Sequence, residues 1–271
     1  MTVWEAVVLG FVQGATEFLP VSSSGHLVIA QCFLSSCAAA STSALTDATQ
    51  GLLFEVAVHV ATLLSILIVY RARIAALTKG MIARHRDAWA YAGLIVAATM
   101  PVVIVGGLAK DRIEALFDNP MVSGVGLLVT GAILWSSRAG IARAARERPV
   151  LAAAVLIGLA QVCAVVPGIS RSGSTVVAAL WLGMYAEEAA AFSFLMAIPA
   201  IAGAAVLQIP NLGAVTALDV RPLLVGSVVA ALTGVLAIRT FVAMLDKRSF
   251  YLFAPYCWLV GGGFLSYLWL R

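Results

Sequence analysis

The chain has 271 residues, 62% of them hydrophobic and only 11% charged, with a formal net charge of +4 and a mean hydropathy of +1.02. A soluble domain carries about 25% charged and about 45–50% apolar residues, so a core of this size cannot hide so much apolar surface from water. The composition excludes a nucleic-acid binder, a disordered protein and a secreted disulfide scaffold, and it has room for roughly six to eight membrane-crossing helices.

The first ten residues, Met1–Gly10, lack a basic leader, and no cleaved signal peptide is expected. The first apolar stretch, 3–34, is interrupted by Leu19-Pro-Val-Ser-Ser-Ser-Gly-His26. A helix broken at membrane depth exposes backbone N–H and C=O groups, which only protein or a wet cavity can satisfy. Residues 35–51 hold no basic residue and read as an outer loop. Spans follow at 52–70, 90–109 and 121–137. A second broken stretch, 150–185, contains Val166-Pro-Gly-Ile-Ser-Arg-Ser-Gly-Ser-Thr175, and three more spans follow at 189–209, 222–245 and 250–270.

Basic residues orient these segments. The 71–87 loop holds Arg71, Arg73, Lys79, Arg84 and Arg86; the 138–149 loop holds Arg138, Arg143, Arg146 and Arg148; Lys247 and Arg248 mark a third. Placing all three in the cytoplasm works only if 3–34 dips in from outside and 150–185 from the cytoplasm, each returning to its own side. Both termini then lie outside. The repeat is also readable directly: Gln13 precedes Ser24-Gly25 by eleven and twelve residues, and Gln161 precedes Ser172-Gly173 by the same distances. The expected fold is therefore an all-α polytopic membrane protein with six transmembrane helices plus two re-entrant broken-helix segments in an inverted-topology repeat. It forms a single membrane domain with halves of about 1–145 and 146–271. Inverted repeats with broken helices place a site near the midplane.

Glu17 and Arg171 fall inside the two breaks, where a charge costs about 2.5–3.5 kcal/mol even on permissive scales. That cost points either to function or to an ion pair locking the repeats together. Ser24-Gly25 and Ser172-Gly173 each precede an apolar run, as at helix starts. Two positive helix ends with Arg171 between them form an anion trap suited to phosphate. His26 lies three residues after Ser23, on the same helical face, and an imidazole there is either a base towards that hydroxyl or a partner of a backbone carbonyl. Glu55 and His59, four apart on the first span, read as a packed polar pair near the outer interface rather than a ligand set, and His85 as solvated. Cys32, Cys37, Cys163 and Cys257 match no zinc or redox spacing and read as small hydrophobes, with a Cys32–Cys37 disulfide as the alternative in an oxidising compartment. No cluster has the spacing of a protein-only metal cage, but a divalent ion held by Glu17 and substrate phosphates is open.

Gln13-Gly-Ala-Thr-Glu17-Phe-Leu-Pro20-Val-Ser-Ser23-Ser-Gly-His26 resembles the first signature of the bacterial undecaprenyl-diphosphate phosphatase family (BacA/UppP), and Pro167-Gly-Ile-Ser170-Arg171-Ser-Gly-Ser-Thr175 resembles its second. The resemblance covers the whole chain, including Phe54–Leu64 and Phe192–Pro199. It implies removal of the terminal phosphate from a polyisoprenyl diphosphate lipid at the outer face of the bacterial cytoplasmic membrane. That reaction recycles the carrier for cell-wall synthesis and confers bacitracin resistance. It also implies a divalent cation, Mg²⁺ or Ca²⁺, and Glu17, Ser23, His26 and Arg171 as catalytic residues, with Glu17 at the metal. Gln13, where some members have Glu, is then a polar ligand to phosphate or metal-bound water. Ser22, Ser24, Gly25, Ser170, Ser172, Gly173 and Ser174 complete the phosphate-binding set. The attacking group is Ser23, deprotonated by His26, or a water activated by His26 or Glu17.

Two other classes compete. A type-2 phosphatidic acid phosphatase needs a second histidine where Val177 stands. A transporter or flippase for a lipid phosphate shares the inverted repeat and broken helices. The expected partners are the lipid substrate and the bilayer, with no nucleic acid, and a homodimer is the candidate assembly.

Overall fold

The structure, a computed structural model, describes residues 1–34, 48–140, 146–208 and 220–270. The described residues form helices with no named strand. In chain order these are α1 (Val3–Phe18), α2 (Ser23–Leu34), α3 (Ala48–Val69), α4 (Arg71–Ile82), α5 (Arg86–Leu108) and α6 (Lys110–Phe117). The chain continues with α7 (Pro120–Gly140), α8 (Leu151–Cys163), α9 (Arg171–Trp181), α10 (Ala186–Gln208), α11 (Val220–Asp246) and α12 (Phe253–Trp269), the last preceded by a 3₁₀ turn at Phe250–Leu252.

All six expected spans are helical. Four of them, α5, α7, α10 and α11, are long and apolar enough to cross a membrane by length and composition, and α3 makes a fifth when taken with α4 across a 78° bend. At 1.5 Å per residue, the 23 residues of α5 and of α10 reach about 34 Å, against a hydrocarbon core of about 30 Å. With 17 residues, α12 sits at the short end of the spanning range. Leu224, Val228, Leu232 and Leu236 form an exposed stripe along α11, each more than half exposed. Such a stripe is stable when lipid faces it. The protein is a multi-pass, all-α membrane protein.

The basic stretch 71–87, expected as a loop, is largely the helix α4, none of whose residues is buried. Its Ala, Leu, Arg and Lys residues favour helix once the chain turns out of the span at Tyr70. His85 is exposed, as expected. Arg143 and most of the expected outer loop 35–51 lie outside the described residues. Cys163 and Cys257 are free, whereas Cys32 is disulfide-bonded. This corrects the reading of Cys32 as a plain hydrophobe.

Small residues let the helices approach closely. A Cβ on Gly10 of α1 would lie 2.4 Å from the Gly226 carbonyl oxygen of α11, and one on Gly158 of α8 would lie 2.3 Å from the Ala98 oxygen of α5. Helix α3 also packs on α11, and α10 on α5. Phe18, Phe194, Phe241 and Phe250 stack edge to face through the centre of the core. The basic ends of the bundle are tied together: Arg148 donates to Asp87 at 3.0 Å, Arg73 pairs with Glu188, and the Arg146 backbone bonds Gly183 and Tyr185.

Gly126 on α7 has no room for a side chain, since its Cβ would lie 2.3 Å from the Pro167 oxygen, while Gly93 faces open space. Gly126→Val is expected to lower the thermal unfolding midpoint in detergent, as overpacking costs about 1–3 kcal/mol. Gly93→Val leaves the midpoint unchanged. Equal midpoints for the two variants would contradict the close packing of α7 on the second break.

Candidate active site

Two broken helices build the site, and their breaks follow from local sequence. Pro20 cannot continue α1 and drives Leu19 into extended backbone. The chain turns through Ser22, whose φ of 70° is left-handed, and α2 starts at Ser23. The second break turns through Pro167 and Gly168, φ 88°, before α9 starts at Arg171. Both new helices are capped alike. Ser22 Oγ accepts from the Gly25 N–H at 3.3 Å, and Ser170 Oγ accepts from the Gly173 N–H at 3.1 Å. Each capping hydroxyl also lies 3.2 Å from the hydroxyl of the serine two residues on, Ser24 and Ser172 respectively.

The breaks touch. A Cβ on Gly25 would lie 3.0 Å from the Gly168 Cα, and the Ser172 hydroxyl donates to the Leu19 carbonyl across the junction at 3.2 Å. Thr130 of α7 holds the second break from behind, donating to the Gly168 carbonyl at 2.8 Å and accepting from the Ser170 N–H at 2.9 Å. The positive ends of α2 and α9 are thereby brought to one place.

Glu17 sits there, in the last turn of α1 and only 8% exposed. Its Oε2 accepts from Ser23 Oγ at 2.6 Å and from Gln13 Nε2 at 3.2 Å, while its Oε1 accepts from Arg171 Nη2 at 2.9 Å. The carboxylate is thus held by three donors from both broken helices. Among the described residues, Arg171 Nη1 is buried with no acceptor, and Gln13 Oε1 and Ser174 Oγ are buried with no hydrogen-bond partner. An unmet donor on a guanidinium is unfavourable until an anion supplies oxygen.

A cavity of about 380 Å³ opens against this cluster. Of the residues singled out from sequence, Glu17, Ser22, Ser23, Ser24, Ser170 and Arg171 line it. Gln13 does not; it is fully buried behind Glu17 and holds the carboxylate. Gly25, Ser172, Gly173 and Ser174 lie within the two helix starts rather than at the wall. His26 is not at the wall either. Its Nδ1 is 2.8 Å from the Ser22 carbonyl oxygen, and its Nε2 is 2.9 Å from the Tyr256 hydroxyl. The carbonyl only accepts, so Nδ1 carries the proton and Nε2 accepts from tyrosine. The expected His26–Ser23 contact is therefore absent, and the Ser23 proton is directed at Glu17 instead. Sharing a helical face brought the two residues near, but the Ser22 carbonyl captured the ring.

The cavity also contains residues that the sequence reading set aside. Glu55 and His59 line it, with His59 Nδ1 donating to the Glu55 carbonyl at 2.8 Å. The signal was available, since two ionisable residues one turn apart in an apolar span carry the same cost as Glu17. The opposite wall is apolar: Ile113 and Phe117 of α6 face Ala200, Ile201, Ala204 and Ala205 of α10. Among the described residues no three His, Cys, Asp or Glu side chains converge as a metal cage. The carboxylates of Glu17 and Glu55 are hard oxygen donors on one cavity, the set that a Mg²⁺ or Ca²⁺ ion shared with phosphate requires.

The family model described as Bacitracin resistance protein BacA matches residues 6–263. A protein of Methanobrevibacter smithii is 36% identical over 277 residues, covering 96% of both chains. One of Desulfatibacillum aliphaticivorans is 38% identical over 275 residues, 95% of both. One of Syntrophotalea carbinolica is 37% identical over 271 residues, 98% of this chain and 99% of its own. All three are named undecaprenyl-diphosphatase.

Removing one partner of a buried ion pair strands the other, at about 3–5 kcal/mol. Arg171→Met alone is expected to lower thermal stability by that order, and adding Glu17→Gln to restore much of it. Strictly additive losses in the double variant would show that the two charges are not coupled.

Proposed function

This chain belongs to the BacA bacitracin-resistance family, and on that premise we propose that it removes the terminal phosphate of undecaprenyl diphosphate in the cavity between its two broken helices. The enzyme is an undecaprenyl-diphosphate phosphatase, a membrane hydrolase that returns the lipid carrier to cell-wall synthesis. The observation that carries the assignment of the site is the Ser23–Glu17–Arg171 chain, a hydroxyl, a carboxylate and a guanidinium joined at 2.6 and 2.9 Å where two helix N-termini meet.

The diphosphate binds to Arg171, whose Nη1 has no acceptor among the described residues, and to the amides and hydroxyls at Ser22–Ser24 and Ser170. Ser23 Oγ attacks the terminal phosphorus and passes its proton to Glu17 Oε2, the oxygen that Arg171 does not touch. The bond from phosphorus to the bridging oxygen breaks, and undecaprenyl phosphate leaves. Glu17 gives its proton to the departing lipid phosphate, then deprotonates a water that attacks the phosphoserine. It passes that second proton to Ser23 Oγ as the P–O bond to serine breaks and inorganic phosphate is freed. Charge neutralisation and positioning carry the catalysis, as in other phosphoryl transfers. Glu17 and Glu55 would hold a divalent cation together with substrate oxygens, and when bound it supplies further charge neutralisation. The apolar wall of Ile113, Phe117, Ala200 and Ala204 suits the first isoprene units of the tail.

The two halves, about 1–145 and 146–271, are read as inverted repeats. Matching serine caps, and pairings of α1 with α11 and of α8 with α5, support that reading. We place the basic end in the cytoplasm and the cavity mouth outside, in the bacterial inner membrane. Positive-inside bias supports this, as does a disulfide at Cys32, since such bonds persist in oxidising compartments. A transporter is not favoured, because the relatives carry an enzyme name.

Purified protein is expected to release phosphate from farnesyl or undecaprenyl diphosphate. Ser23→Ala and Arg171→Ala should each lower kcat/KM at least about a thousandfold, and rapid quench should trap phosphoserine at position 23. Full activity of Ser23→Ala would remove the serine from the reaction. For orientation, Asp111→Cys on α6 should react with an impermeant maleimide added outside intact cells; protection there would reverse the topology.

A further inference from the structure

Tyr256, near the start of α12, does not line the cavity, yet it lies one side chain away from the attacking serine. Its hydroxyl donates to His26 Nε2 at 2.9 Å, and the two rings lie parallel, 3° apart in plane with centroids 5.7 Å apart. The Ser22 carbonyl only accepts, so the imidazole proton is on Nδ1, which donates to it at 2.8 Å; the same carbonyl accepts from the His26 backbone N–H at 3.2 Å. Ser22 is held at φ 70°, a conformation that serine rarely adopts without support. The next residue is Ser23, whose hydroxyl meets Glu17.

The second break provides an internal comparison. Ser170 makes the same cap with φ −72°, in ordinary backbone, and Ser174 occupies the place that His26 has in the first break. The imidazole clamp is found where the left-handed serine is found, immediately before the attacking hydroxyl, and is missing where neither is needed. Both nitrogens of His26 are engaged, so neither is left to receive the Ser23 proton.

We propose that Tyr256 is a positioning residue. By holding Nε2 it fixes the orientation of the His26 ring, whose Nδ1–H clamps the Ser22 carbonyl, holds the left-handed turn and aims Ser23 at Glu17. The proposal rests on Ser23 being the attacking group, and it gives His26 a positioning role as well.

The test measures steady-state hydrolysis of farnesyl diphosphate by full-length variants in detergent, beside their thermal midpoints. Tyr256→Phe is expected to lower kcat about three- to tenfold with KM changed less than about twofold, because the loss is in aim rather than in binding. His26→Gln, whose amide N–H can still reach the Ser22 carbonyl, should keep activity within about tenfold of the parent, while His26→Ala loses at least about a hundredfold. Adding Tyr256→Phe to His26→Gln should cost nothing further. A wild-type kcat for Tyr256→Phe, a change confined to KM, or a His26→Gln variant as inactive as His26→Ala would each overturn the proposal. Should Tyr256→Phe be unstable, Tyr256→Gln, which keeps a donor for His26 Nε2, is expected to hold kcat within about threefold, and a loss above about tenfold there would overturn the proposal. An active Ser23→Ala variant would instead overturn the reaction on which the proposal rests.

Discussion

The structure depends on the buried pairing of Glu17 with Arg171. Each comes from a different broken helix, and each alone would be a charge in a low-dielectric interior, at several kcal/mol. Brought to 2.9 Å, they neutralise one another, and Gln13 and Ser23 satisfy the remaining side of the carboxylate. The pair needs both breaks to end at the same depth, and the breaks need close contact between backbones. Gly25, Gly126 and Gly168 provide it, since none of them has room for a Cβ at ordinary contact distance. The ion pair, the glycine contacts and the helix breaks are one arrangement rather than three features.

That arrangement also gives the site its asymmetry. The two breaks share a serine cap and a following glycine, but the residue between the paired serines differs: Ser23 in one, Arg171 in the other. One half therefore brings a hydroxyl and the other a cation to the same carboxylate. Two like breaks thereby become a site with a hydroxyl on one side and a guanidinium on the other. The cavity continues the division, polar where the breaks meet and apolar where α6 faces α10, as an amphiphilic lipid diphosphate requires.

Much of this was legible beforehand because composition and charge act through simple rules. Six apolar stretches became helices, and the basic segments gathered at one end, joined by Arg148 with Asp87 and Arg73 with Glu188. Glu17, Ser23 and Arg171 stood out because polar groups in apolar surroundings need a reason. For His26 two readings stayed open, a base towards Ser23 or a partner of a backbone carbonyl, because helical spacing says which side chains are near but not which backbone carbonyl is free. Ser22 adopts left-handed backbone, and its exposed carbonyl takes the imidazole. Glu55 and His59 looked like a local pair because the groups that share their cavity, Glu17 and Arg171, are far away in the chain. Helix α4 was taken for a loop because charge marked the end of a span without saying whether the chain stays helical beyond it.

The sequence by itself determined that the chain crosses a membrane, that two helices are broken within it, and that a carboxylate, a serine and an arginine sit at those breaks. Local composition, proline and serine chemistry and the cost of charge in hydrocarbon are enough for that. Only the tertiary structure decided which of these groups touch. The direction of the Ser23 hydroxyl, the capture of His26 by Ser22 and Tyr256, and the entry of Glu55 and His59 into the cavity depend on helices distant in sequence. Hydrogen bonds form within about 3 Å and in one direction, and no spacing along a chain specifies that across two halves of a bundle.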